Sequence, residues 1–166
     1  VIAIFGYGPG VSKAMAEKFG AEGFSVALVS RNKGRIGRAA ENLKLHGVNA
    51  IPVQADASDP AAVKAAIEQV RAELGPINVI HWNAYSGTEA GDLITADPDA
   101  VHQIFEVAIS GLLAAVQTAL PDLKAAEDGA VLVTNGAFGD LTPTMDVFAV
   151  GTQQMGVALA NSAKAK

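Results

Sequence analysis

Two spacings of apolar residues alternate along the chain. Short, nearly continuous apolar runs recur at VIAIF (1–5), SVALVS (25–30), VNAIPVQ (48–54), INVIHW (77–82) and AVLVTN (130–135). Between them, over 11–23, 33–46, 60–74 and 98–126, Ala, Val, Ile and Leu fall at i, i+3 and i+4. The first spacing predicts strands and the second predicts helices. The punctuation agrees: Asp59-Pro60 and Asp97-Pro98 are N-cap and first-turn signals, and Gly23, Gly47 and Gly75 stand where helices should stop. Strands that are apolar on both faces and alternate with helices imply a parallel sheet covered on both sides. The expected fold is therefore α/β, a three-layer doubly wound parallel sheet. No internal repeat, low-complexity tract or linker interrupts it, so residues 1–166 read as one domain.

Composition narrows the partners. A chain of 166 residues, 50% apolar, is of one-domain size. Its formal net charge of -5 argues against nucleic acid or an anionic membrane as partner, since both are bound through a basic surplus. Cysteine is absent, and His46, His81 and His102 have no metal-type spacing, so no metal site is expected. No signal pattern and no uninterrupted apolar run of spanning length is visible, which gives a cytoplasmic expectation without a membrane. The start inside a predicted strand, without methionine, leads us to expect a longer natural chain.

The chemistry begins at FGYGPGVSKAM (5–15), three glycines between the first strand and the first helix. In a doubly wound sheet this turn offers backbone amides and the positive helix end to an anion. Glycine lets the backbone approach a pyrophosphate with no Cβ in the way. Gly6, Tyr7, Gly8, Gly10 and Val11 are the candidate turn contacts. About twenty residues on, folds of this kind read the adenosine ribose, with an acid for a bare 2′-hydroxyl or arginine for a 2′-phosphate. Here strand two ends at Ser30, followed at once by Arg31. An acid would repel a phosphate, whereas a guanidinium can fork onto it, so NADP(H) is expected in preference to NAD(H). Lys33, Arg35 and Arg38 read as a solvated helix face.

With these residues in place the chain resembles the short-chain dehydrogenase/reductase family over nearly its whole length. Gly6 and Gly10 match the first two glycines of the family's motif, and Ser12 stands at the third. VQADASD resembles the segment after strand three, whose aspartate contacts the adenine, giving Asp56 and Ala57. HWNAYSG is similar to the Asn-Ala-Gly motif after strand four, giving Asn83 and Ala84, with Tyr85 at the glycine. GAVLVTNGAFG resembles strand five and its loop, with Asn135 and Gly136 at the paired serines. The resemblance implies a Rossmann fold, a nicotinamide cofactor and hydride transfer to or from a small-molecule carbonyl or alcohol. It also implies a homo-oligomer paired through the long helix 98–126 and the last helix from Asp146.

The same resemblance implies a catalytic tyrosine, lysine, serine and asparagine, and this chain departs from all four. The asparagine falls on Ala108 and the serine on Gly136. The tyrosine and lysine fall on Ala149 and Gln153, or on Phe148 and Thr152 in a loop one residue shorter. General acid–base help of this kind is worth about 10²–10⁴-fold in rate. Tyr85 is a candidate proton donor from another position, though it also reads as a packing residue. Asn135 is a candidate for polarising a carbonyl, with Thr134, Thr142 and Thr144 beside it, and Asp140 reads as a solvated loop carboxylate. His81 reads as a satisfied core histidine and His102 as a helix-surface residue. Trp82, the sole tryptophan, is expected at the strand-four tip near the crevice. The strands and substrate lid that the family places after this point are absent from the sequence. The expected function is an NADP(H)-binding oxidoreductase of this family with a degenerate catalytic site. The alternative is a non-catalytic NADP(H)-binding sensor or interaction module.

Overall fold

The computed structural model describes residues 1–87, 90, 91, 94–136, 160 and 163. Five strands, β1 (Ile2–Phe5), β2 (Val26–Ser30), β3 (Ala50–Gln54), β4 (Val79–Trp82) and β5 (Ala130–Val133), form one sheet in the order β3-β2-β1-β4-β5. Every pairing is parallel. The doubly wound α/β architecture expected from the alternation is the one observed. The strand order reverses between β1 and β4, so the carboxyl ends at Phe5 and Trp82 flank the point where such sheets open a crevice.

Successive residues of a strand face opposite sides, and this divides the core in two. Ala3, Phe5, Ile80 and Trp82 pack against Val63, Ile67 and Val70 of α3 (Pro60–Leu74) and Ala115 of α5 (Gly111–Ala125). Ile2, Ile4 and Val79 pack against Ala16 of α1 (Val11–Ala21) and Ile36 and Ala40 of α2 (Lys33–Leu45). The cap signals hold: Asp59 Oδ1 accepts from Ala61 N at 2.8 Å, and Asp97 Oδ1 accepts from Asp99 N at 3.0 Å.

Two expectations need correction. Residues 98–126 do not form one regular helix: α4 (Pro98–Phe105) passes through a π-helical turn at Glu106–Ser110 into α5. Gly111 supplies a reason. A Cβ there would lie 2.9 Å from Trp82 Cη2 and closer still to the Ala57 carbonyl oxygen, so backbone packs directly on backbone where the helix changes its winding. The expectation that no segment reaches spanning length also fails by length and composition. The continuous helical segment Pro98–Ala125 has a window of mean hydropathy 1.6, of which 39% is buried; within the segment Val107, Ala114, Ala115 and Ala119 join the sheet-facing core, and Ala100, Ile104 and Ala108 join a separate apolar cluster.

A polar clamp ties α3 to α5. Arg71 Nε donates to Asp122 Oδ2 at 2.9 Å, Arg71 also donates to the Thr118 carbonyl at 3.1 Å, and Ile77 N donates to the same Asp122 oxygen at 3.2 Å. Asp122 is 14% exposed, and its removal takes this acceptor from the Ile77 amide and leaves the Arg71 guanidinium with Glu68, at 2.7 Å, and the Thr118 carbonyl. Asp122→Ala is expected to cost about 1.5–3 kcal/mol, the range for hydrogen bonds to charged groups. Urea unfolding checks this, and a loss below about 0.5 kcal/mol would show that Glu68 alone satisfies Arg71.

Candidate functional site

The glycine turn is bound on three sides. Gly6 N and Tyr7 N both donate to the Val29 carbonyl, at 2.9 and 3.1 Å, which fixes the turn to β2. Asn83 Nδ2 donates to the Gly6 carbonyl at 3.1 Å, fixing it to the end of β4. The third tie is Ser12, whose Oγ accepts from Gly8 N at 2.9 Å and donates to the Gly8 carbonyl at 3.1 Å while 1% exposed. Ser12 therefore does more than replace a packing glycine, because it closes the turn on itself. Gly6 has φ +77°, and a Cβ there would lie 2.5 Å from Cα and N of Ala84, so the turn lies flat against Asn83-Ala84.

The start of α1 is chemically different from the starts of α2, α3 and α4. Those three are capped by Asn32, Asp59 and Asp97, whereas Gly10 gives α1 no side-chain cap. The first bond into α1 runs from Ala14 N to the Gly10 carbonyl, which leaves the N–H groups of Val11, Ser12 and Lys13 as the orphan donors of the first turn. With the helix dipole behind them, they suit an anion.

Beside this turn opens a crevice of about 600 Å³. Of the candidate residues, it brings together Gly6, Tyr7, Gly8, Ser30, Arg31, Asp56, Ala57, Asn83, Ala84 and Tyr85. Gly10 and Val11 stand at the head of α1 beyond its lining, and Asn135 lies exposed in the loop after β5, also outside it. Asp140, Thr142, Thr144, Phe148, Ala149, Thr152 and Gln153 lie outside the described residues. Asp56 Oδ1 accepts from Ser58 N at 3.0 Å and Ser58 Oγ at 2.8 Å, and its Oδ2 faces Arg31 at 4.0 Å. The Ser58 amide bond, with the Ser58 hydroxyl and the Arg31 charge adding to it, holds this carboxyl below its ordinary range. Among the described residues no cluster of His, Asp and Glu could hold a metal ion.

Several side chains depart from their sequence reading. Tyr85 is no packing residue: it is 73% exposed at the crevice rim. Arg35, read as a solvated helix residue, lines the crevice, and so does Gln103 of α4. Trp82 does stand at the end of β4, but it is fully buried, stacked on Phe5 at 5.0 Å between ring centroids. Ala108 sits in the π-helical turn and packs in an apolar cluster with Ala90, Ala100, Ile104 and Ala160. His102 lies on the helix surface as expected, beside Glu106 at 3.1 Å.

His81 is only half satisfied. Its Nε2 meets Thr134 Oγ1 at 3.0 Å, but Nδ1 is buried without a hydrogen-bond partner among the described residues. Burial pushes its pKa below the ordinary 6.5. The unfolded chain then takes up the proton first, so this contribution to stability is complete above about pH 6.5 and is lost as pH falls towards the folded pKa. Urea unfolding at pH 7.5 and 5.5 should show that loss, and His81→Val should flatten it. An unchanged slope in the variant would assign the acid sensitivity to other groups.

A parallel sheet with a glycine-bounded turn, an uncapped first helix and a crevice at the reversal of strand order defines a doubly wound α/β protein with a candidate ligand crevice. Residues 1–147 match the short chain dehydrogenase family, and the chain belongs to it. It is 29% identical over 131 residues to a short chain dehydrogenase of Pseudocercospora fijiensis, covering 78% of this chain and 42% of that protein. The fold superposes with a TM-score of 0.87 on a 3-ketoacyl-ACP reductase of Sinorhizobium meliloti, at 21% identity, over 99% of this chain and 62% of that one. A gluconate 5-dehydrogenase of Burkholderia cenocepacia, in complex with NADP and tartrate, gives a TM-score of 0.82 at 22% identity, covering 98% of this chain and 60% of that one. The chain thus spans less than half the length of the Pseudocercospora relative.

Proposed function

We propose that residues 1–166 form a single NAD(P)-binding domain that holds NADP(H) in preference to NAD(H) and serves an oxidoreductase acting on a carbonyl or alcohol carbon. One observation carries the reading: the glycine turn that leads into the uncapped start of α1 and the arginine at the tip of β2 border one crevice. The turn fits a pyrophosphate, because it offers unpaired first-turn amides and no side chain where the backbone must be approached. The B. cenocepacia relative, which holds NADP in the same fold, supports the cofactor class. When bound, the nicotinamide supplies or accepts the hydride.

In this reading Gly6, Gly8, Gly10 and Val11 present backbone to the pyrophosphate, with Tyr7 buried behind them. Ser30 and Arg31 receive the 2′-phosphate, Asp56 and Ala57 border the adenine, and Asn83 and Ala84 border the ribose and nicotinamide. The positions where the family carries its asparagine, serine, tyrosine and lysine read Ala108, Gly136, Ala149 and Gln153, and the first of these lies among apolar side chains. Proton donation then falls to Tyr85 and carbonyl polarisation to Asn135. The exposed Leu113 and Leu120 of α5 support a homo-oligomer packed through that helix.

Titration of NADPH and NADH, followed by the fluorescence of Trp82, tests the cofactor. NADPH should bind at least about tenfold tighter than NADH, the worth of one charge-assisted contact, and Arg31→Ala should remove the preference. Equal binding of the two would overturn the preference. NADPH oxidation with a panel of aldehydes and ketones tests the chemistry. Turnover that Tyr85→Phe lowers by about 10²-fold or more is expected, whereas binding without turnover of any of them would overturn the oxidoreductase part.

A further inference from the structure

At the carboxyl end of the sheet a polar pair links β4 to the residue after β5. His81 is the third residue of β4 and is 3% exposed. Its register partners are Ile4 on β1 and Leu132 on β5, and Val79, two residues earlier on the same face, belongs to the core shared with α1 and α2. The imidazole reaches past this apolar surround to Thr134, with 3.0 Å between Nε2 and Oγ1. Thr134 N also donates to the Trp82 carbonyl at 2.9 Å. Thr134 is the first residue beyond β5, so β4 holds it twice, once through the backbone and once through a side chain.

Packing does not explain an imidazole at this position. A leucine or valine would fill the space and leave no buried nitrogen to satisfy, whereas Nδ1 here has no partner among the described residues. The bond also has a direction. With the proton on Nε2, His81 donates to Thr134 Oγ1 and Nδ1 keeps a lone pair; the other tautomer would bury an unpaired N–H, which costs more. What the bond secures comes next along the chain. Asn135 follows Thr134 at once and lies outside the crevice lining, so its reach to a carbonyl depends on how the loop leaves the strand. A single ladder bond at Thr134 N would let that loop swivel, and the side-chain bond stops it.

We propose that His81 is a positioning residue of the candidate active site: its hydrogen bond to Thr134 fixes the start of the loop after β5 and so aims Asn135 at the carbonyl oxygen of the substrate. This rests on the oxidoreductase reading above and deepens it. His81 touches neither cofactor nor substrate and gives up no proton in the reaction; it acts through Thr134.

Two measurements on His81→Leu, His81→Gln and Thr134→Val test it. Gln sets an amide N–H near the place of Nε2, whereas Leu and Val fill space without a hydrogen-bonding group. In hydrogen exchange followed by NMR, the amides of Thr134 and Asn135 should open at least about fivefold faster in His81→Leu and Thr134→Val, the worth of one hydrogen bond, and stay near the unaltered rate in His81→Gln. In NADPH oxidation with the aldehyde or ketone that the unaltered chain reduces fastest, kcat should fall about tenfold or more in the same two variants while KM for NADPH stays within about twofold, and His81→Gln should recover most of the loss. Combining His81→Leu with Thr134→Val should cost no more than either alone, because both remove one bond. Thermal melting of each variant checks that the fold is intact. A kcat loss as large in His81→Gln as in His81→Leu would trace the effect to the shape of the core and overturn the proposal. Unchanged exchange at Asn135, or a lowered melting temperature with kcat unchanged, would overturn it as well. An unaltered chain that reduces none of the carbonyls would overturn the oxidoreductase reading and, with it, the role given to Asn135.

Discussion

Gly111→Ala is expected to destabilise the fold by about 3 kcal/mol or more, the upper end for overpacked cores. The new methyl group would lie 2.9 and 3.0 Å from Trp82 Cη2 and Cζ2, and nearer still to the Ala57 carbonyl oxygen. Neither neighbour has room to yield. Trp82 is fully buried and stacked on Phe5, and the Ala57 carbonyl belongs to the loop that Ser58 ties to Asp56. Relief requires the start of α5 to move away from the sheet, which uncovers Ala114 and Ala115. The damage would reach the crevice as well, because Asp56 and Ala57 line it. Urea unfolding should therefore show the lost stability, and NADPH affinity should fall in the variant while it is still folded. A melting temperature within about 2 °C of the unaltered chain would mean that α5 is free to slide, contrary to the packing described here.

The residues that were legible in the sequence are those whose role repeats. The strands show as apolar runs, as parallel strands covered on both faces do, and β1, β2 and β4 are buried along almost their whole length; α2 and α3 show through their 3.6-residue period, with the cap of α3 at Asp59. Gly6 was legible by position, since it follows the first strand in a fold that puts its ligands there, and Asp56 and Asn83 were legible through the family resemblance of the segments that carry them. What stayed hidden depends on direction or on a single tertiary contact. The π-helical turn before Gly111 answers to Trp82, a residue on another element, and no period announces it. Ser12 reads as a small residue until its hydroxyl is seen bridging Gly8 N and O. Arg35 is one of several basic residues near the start of α2, and only the burial of Ile36 decides which way it faces. Tyr85 is a lone aromatic in a loop, where neither spacing nor composition separates a packed ring from an exposed one. His81 reads as a core residue and is one, yet only the structure shows that its second nitrogen has no partner among the described residues.

Gly6→Ala against Gly10→Ala separates two kinds of glycine in one turn. Both have positive φ, +77° and +105°, so an L-residue at either is strained. Strain of this kind costs on the order of 1–3 kcal/mol. At Gly10 that is the whole effect, because a Cβ there would meet nothing within 4 Å. At Gly6 the Cβ would also sit 2.5 Å from the backbone of Ala84, which cannot retreat without breaking the bond from Asn83 Nδ2 to the Gly6 carbonyl. Gly6→Ala should therefore cost about 3–5 kcal/mol, with strain and overpacking added together. It should also abolish measurable NADPH binding, because the turn and the end of β4 are pushed apart at the bottom of the crevice. Gly10→Ala should cost about 1–3 kcal/mol and keep a weakened NADPH site, since the amides of Val11, Ser12 and Lys13 remain. Thermal melts and NADPH titration of the two variants side by side decide the matter. Equal losses of stability would mean that the 2.5 Å approach to Ala84 relaxes at no cost, and that backbone strain alone accounts for glycine at both positions.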